Sequence, residues 1–99
     1  MGMKIIDLKK YSPIISDKAK GAEIYKIIKE ILSMGENVTV DLQEIQSMAT
    51  FCAKQIFGSL YVELGSKGFF KNVVLKNANN DLKAIIQIGI QDALDEQHK

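Results

Sequence analysis

The stretch that decides the fold is Asn37-Val38-Thr39-Val40-Asp41-Leu42-Gln43-Glu44-Ile45-Gln46-Ser47-Met48-Ala49-Thr50-Phe51. Val38, Val40 and Leu42 alternate with Thr39 and Asp41, the period of two that marks a strand rich in β-branched residues. A short polar loop over residues 43–48 follows, and a helix opens near Ala49, Thr50 and Phe51. Strand, loop and helix in succession are the grammar of an α/β unit, and open α/β sheets bind their ligands or partners beyond the carboxyl ends of the strands. The segment therefore predicts both the centre of the fold and a contact corner, with Asp41 near the strand's end and the Thr50 hydroxyl at the helix start.

On the N-terminal side, Met3-Lys4-Ile5-Ile6-Asp7-Leu8 is a short β-branched run closed by Lys9-Lys10, and it reads as the first strand. Pro13 restricts Ser12 to an extended conformation, so Ile14-Ile15 is expected as a loop or a very short edge strand. Ser16 and Asp17 are both N-cap types, and Ser16 is assigned the cap. Ile24, Ile27, Ile28 and Ile31 then recur at three-four spacing with Lys20, Glu23, Lys26, Lys29 and Glu30 turned away, an amphipathic helix ended by Gly35.

On the C-terminal side, Cys52, Ala53, Ile56, Leu60 and Leu64 line one stripe of a helix over residues 49–64, widened by Phe57 and Tyr61, whose expected place is the core. Gly65 is expected to stop it. Gly65-Ser66-Lys67-Gly68 has the residue types of a phosphate loop without its spacing, and a third strand is expected over residues 71–76. Asn79 or Asn80 caps a last helix with Leu82, Ile85, Ile86, Ile90, Ala93 and Leu94 on one face, and residues 95–99 are expected to fray. Gly89 lowers that helix's propensity by about 1 kcal/mol relative to Ala, which predicts close packing at that point. Strands alternating with helices call for right-handed crossovers. The fold class is α/β, with a mainly parallel or mixed sheet of three to four strands and three main helices.

With 99 residues, 46% hydrophobic and 25% charged, the chain has the composition of a globular protein, read as one domain over residues 1–99. A domain this small buries only roughly 60–70% of its unfolded surface, so a homodimer that covers one more face is compatible with it. The formal charge of +1 with interleaved signs argues against nucleic acid as a partner. No apolar run approaches the ~20 residues that cross a bilayer, and residues 1–6 carry no signal-peptide core, so a cytoplasmic protein is expected. The lone cysteine, Cys52, agrees with a reducing compartment and reads as a small buried hydrophobe. The one histidine that could activate it, His98, lies in the tail. Asp41 with Glu44 makes a poor metal site without a third ligand, and Asp41 is read instead as a brace for the loop behind it. No triad, acid pair or dinucleotide fingerprint can be assembled, so neither catalysis nor a cofactor is expected.

The run from Val40 to Phe51 resembles the strand, loop and helix start of the STAS domains, the anti-sigma-factor antagonists and their relatives. Closer still, Ser16 and Gly21, Thr50-Phe51, Phe57-Gly58-Ser59-Leu60, Leu64-Gly65 and the strand between Asn72 and Asn77 resemble the bacterial STAS-like domain of unknown function. The resemblance implies a small STAS-like sandwich. It also implies a non-catalytic regulatory domain that docks on a histidine-kinase-like ATPase or an anti-sigma-type partner. Thr50 takes the position of the serine phosphorylated in true antagonists. Ala49 stands where those proteins usually place an aspartate, and Glu44 replaces a glycine common after the strand. A phosphate on Thr50 would bring about −1.5 to −2 charges to the positive end of a helix, tolerated by the fold and able to expel a partner. Without phosphate, Thr50 is expected to cap the helix. The expected partner surface is Asp41, Ser47, Met48, Thr50 and Phe51. The alternative is a small nucleotide- or ligand-binding α/β module, or an enzyme, with its site at the carboxyl end of residues 38–42.

Overall fold

A computed structural model describes residues 2–97. Strands β1 (Met3–Asp7), β3 (Asn37–Asp41) and β5 (Val73–Lys76) form one sheet in the order β1-β3-β5. Both pairings are parallel, with Ile5 level with Thr39 and Val74, and Ile6 level with Val40 and Leu75. Of the parallel and mixed sheets the sequence allowed, the chain forms the parallel one. A second, two-stranded parallel ribbon joins β2 (Ile14–Ile15) to β4 (Ser47–Met48). The edge strand expected at Ile14-Ile15 exists, but its partner lies in a stretch that reads as loop.

Topology decides which sheet face is covered. The crossover from β1 to β3 contains α1 (Lys18–Ser33). The crossover from β3 to β5 contains α2 (Thr50–Ala53), a π-helical turn over Lys54–Gly58, and α3 (Ser59–Asn72). Two right-handed crossovers that step the same way across a sheet put their helices on the same face. Val38 and Val40 are accordingly sealed beneath the helices, whereas Met3, Ile5 and Val74 face outward and are exposed. Thr39, at the centre of that outer face, stays buried beneath its neighbours and donates its hydroxyl to the Met3 sulfur at 2.9 Å.

Helix α1 is capped by Asp17, not Ser16: Asp17 is the extended residue immediately before the first helical one, and its carboxylate accepts from the Ala19 N–H at 2.7 Å. Ile24, Ile28 and Ile31 enter the core, and Gly35 turns the chain out with φ +79°. The second helical path differs more from expectation. Gly65 does break it, with φ +76°, but helical backbone resumes to Asn72 and β5 begins only at Val73. The reason is aromatic packing. Phe69 is buried, its ring 5.4 Å from Tyr61 and 5.4 Å from Phe70, and this anchors residues 66–72 as an extra turn. Phe57 and Leu60 are fully buried, as the helical stripe required, with Tyr61 packed partly buried against the same core.

Helix α4 (Asn80–Gln97) starts at Asn79, whose Oδ1 accepts from the Leu82 N–H at 2.8 Å. Its middle lies directly on the α2 and π-turn backbone. A Cβ at Gly89 would stand 2.6 Å from the Lys54 nitrogen and 2.7 Å from the Ala53 carbonyl carbon; one at Gly58 would stand 2.8 Å from the Gly89 oxygen. The close packing predicted at Gly89 is there. Residues 95–97 remain helical instead of fraying, while His98 and Lys99 lie outside the described residues. No helix among the described residues is long and apolar enough to cross a membrane.

Candidate functional site

The corner beyond β3 is built by hydrogen bonds among three loops. Asp41 ends β3, and its Oδ1 accepts from the Gln43 N–H and from Asn77 Nδ2, each at 3.0 Å. The Asn77 bond, then the Gln43 amide, hold its carboxyl below the usual carboxylate range, with Lys76 adding to the effect against a small opposing burial cost. Asp41 is therefore a brace that ties the loop after β3 to the loop after β5. Among the described residues no three His, Cys, Asp or Glu side chains converge as metal ligands would.

The loop itself is pinned from both sides. The Gln46 N–H donates to the Pro13 carbonyl at 2.8 Å, and the Gln46 carbonyl accepts from Asn79 Nδ2 at 3.1 Å. Ile45, read as part of a polar loop, plugs into the core at 2% exposure. The Ala49 N–H donates to Ile15 at 2.8 Å, which fixes where the helix can begin.

This scaffold sorts the five expected contact residues. Ser47 is half-buried in β4, and Thr50 and Phe51 are exposed on the first turn of α2, so these three share one step of the chain. Asp41 belongs to the neighbouring brace, its bonds going to Gln43 and Asn77. Met48 has to be corrected: it is 3% exposed, because the pleat of β4 turns it inward, and it is core and not a surface contact. The cap assigned to Thr50 also fails. Ala49 occupies the N-cap position, no side chain caps the helix, and Thr50 is the first helical residue with its hydroxyl left to solvent.

Phe51, 52% exposed, is the apolar group the corner does present. It borders a groove of about 620 Å³ that runs along α2 and α3 between Lys18 and the last turns of α4, with Lys54, Gln55, Val62 and Glu63 along its walls. Two residues here escaped the sequence reading. Gln55 reaches across to α1, where its Nε2 donates to the Lys18 carbonyl at 3.0 Å. Its Oε1 is buried without a partner against Gly21, where a Cβ would come within 2.1 Å. The available signal was a glycine in the second turn of an otherwise regular amphipathic helix, which marks a close approach. Further along the groove, Glu63 accepts from the Tyr25 hydroxyl and from Lys29 Nζ at 3.0 Å, tying α3 to α1. Burial and then the bond to Glu63 push the Tyr25 phenol up to about 12. Cys52, one turn below, is sealed; burial first, and Asp17 second, push its thiol up, the opposite of an activated nucleophile.

The family described as a STAS-like domain of unknown function matches residues 20–83, well over half of the chain. The chain belongs to that family. The matched span of this STAS-like domain runs from the first turn of α1 to the first turn of α4. It thus includes β3, the pinned loop, Thr50, the π-turn and β5, and two of the three glycines that let helices approach, Gly21 and Gly58, but not Gly89. No curated protein and no solved structure matches the chain.

Proposed function

We propose that this STAS-like domain is a non-catalytic regulatory module that docks on a protein partner through the β4–α2 step, with Ser47, Thr50 and Phe51 in contact. The observation that carries the reading is Phe51: a large aromatic side chain left half in solvent beside a free hydroxyl, on a step whose other apolar groups, Met48, Cys52 and Ala53, are all buried. An exposed aromatic next to a groove is the kind of anchor that concentrates binding energy in an interface. Thr50 is the modification point of the same reading. It makes no cap, so a phosphate there disrupts no internal bond, and it stands at a helix N-terminus that favours negative charge. The bound partner, packed against Phe51, is then displaced by the added charge and its hydration. Resemblance to anti-sigma antagonists supports a histidine-kinase-like ATPase as that partner, and the single cysteine suits a cytoplasmic setting.

The test is binding to such an ATPase encoded beside this chain, measured by calorimetry with wild type, Phe51→Ala, Thr50→Glu and Thr50→Ala. Phe51→Ala is expected to lose at least tenfold in affinity and Thr50→Glu to bind more weakly than Thr50→Ala. If Phe51→Ala and Thr50→Glu bind like wild type while folded, the docking surface is wrong. Heat on adding a nucleotide to the isolated domain, abolished by substitution at Asp41, would favour the small-ligand alternative.

A further inference from the structure

The outer face of the sheet takes no part in the docking step. Parallel sheets occur with both faces covered, since their strands carry apolar side chains on both sides. Among the described residues, one face here is open. Ile5, Thr39 and Val74 lie across it at one register level, with Met3 beside them. Ile5 is 64% exposed, Met3 54% and Val74 41%. One level further toward the carboxyl ends, and on the same face by the alternation of the pleat, come Asp7, Asp41 and Lys76. The face thus has an apolar middle and a charged end whose two edges are opposite in sign: Asp7 on β1, Lys76 on β5. Asp41 between them has its Oδ1 bonded by Gln43 and Asn77, and the Lys76 charge of its own chain acts on it.

That distribution is complementary to itself. A two-fold axis parallel to the strands lays β1 of one copy over β5 of the other. Ile5 then faces Val74 twice, and Asp7 faces Lys76 twice. Thr39 meets its own copy near the axis, and the two Asp41 residues approach with a Lys76 beside each. We infer that this face is the interface of a homodimer with that axis. Three strands ~4.8 Å apart and five residues of ~3.3 Å make a patch about 14 by 17 Å. This is well below the ~800 Å² per partner of a standard interface. The dimer is therefore weak, assembling between micromolar and millimolar concentration.

Analytical ultracentrifugation of the chain across that range tests it, with circular dichroism confirming that each variant is folded. The wild-type mass is expected to rise toward twice the monomer value, and Ile5→Lys or Val74→Lys to hold it at the monomer. Asp7→Lys places lysines opposite lysines, Lys76→Asp places aspartates opposite aspartates, and each alone is expected to be monomeric. Mixed in equal amounts, the two variants put Lys opposite Asp at both contacts and are expected to dimerise. A double variant, Asp7→Lys with Lys76→Asp, is expected to recover self-association. Thr50→Glu leaves the dimer unchanged, which separates this interface from the docking step. Wild type that stays monomeric at millimolar concentration, a dimer indifferent to Ile5→Lys, or a mixture no tighter than its components overturns the proposal.

Discussion

Replacing Gly89 with alanine sets two known effects against each other. Alanine in a helix interior is favoured over glycine by about 1 kcal/mol, so propensity alone predicts a more stable protein. The added methyl, however, would stand 2.6 Å from the Lys54 nitrogen, 2.7 Å from the Ala53 carbonyl carbon and 2.8 Å from the Ala53 Cβ. Two of those atoms are main chain and cannot rotate away, so α4 must lift off α2 and the π-turn, loosening the seam over Phe57 and Ile86. Overpacking of this kind costs roughly 1–3 kcal/mol and more when backbone must move. Because main-chain atoms are in the way, the cost falls at the upper end, about 2–3 kcal/mol, so contact wins with a net loss of about 1–2 kcal/mol. For a domain of this size that lowers Tm by at least ~4 °C. Urea denaturation followed by circular dichroism measures it, with Ala84→Gly on the exposed side of α4 as the reading of propensity alone, expected to lose ~1 kcal/mol. A Gly89→Ala protein as stable as wild type, or more so, refutes the account of how α4 is seated.

Asn79→Ala removes the cap on Leu82 and the bond to the Gln46 carbonyl together, and urea unfolding should show a loss of about 1–2 kcal/mol. Burial first, and the bond to Glu63 second, push the Tyr25 phenol from 10 up to about 12, so the stability gained by keeping it protonated is fully present below pH 10 and is lost as pH rises toward 12. Ultraviolet titration of the three tyrosines should show a late component that disappears in Tyr25→Phe. Cys52, sealed and with its thiol pKa raised, should react with a disulfide reagent at neutral pH only as fast as the protein opens; a rate in native buffer equal to that in urea contradicts its burial.

The strands and the long helices were legible because their signals are local: period-two alternation at Val38 and Val40, three-four spacing from Ile24 to Ile31, and the glycines at 35 and 65. What the sequence hid depends on partners far along the chain. Ser47 and Met48 carry no strand signal of their own and become β4 only because Ile14 and Ile15 arrive beside them. That pairing is also why Met48 turns inward, and why an apolar residue in a polar loop was misread as a surface contact. Residues 66–72 are helical because Phe69 finds Tyr61, a contact that no window around Lys67 and Gly68 reveals. Asp41 was readable as a brace from its place at a strand end, but its second partner, Asn77, is 36 residues away. Thr50 has the side chain of a cap and stands one residue too late to act as one, an offset set by the bond from Ala49 to Ile15.

The sheet stands in chain order, β1, then β3, then β5. On a ribosome, then, each emerging strand finds its neighbour already made: β3 adds to β1, and β5 adds to the free edge of β3. After β1, each strand of this sheet pairs with one already translated, so the sheet grows in one direction with synthesis. Of the described elements α4 is made last, and until it lands, the glycine seam on Ala53 and Gly58 is open to water. Chains cut short before residue 80 and released from the ribosome should therefore hold a paired sheet and remain prey to proteases and chaperones along that seam, and protection there should come only with the final helix.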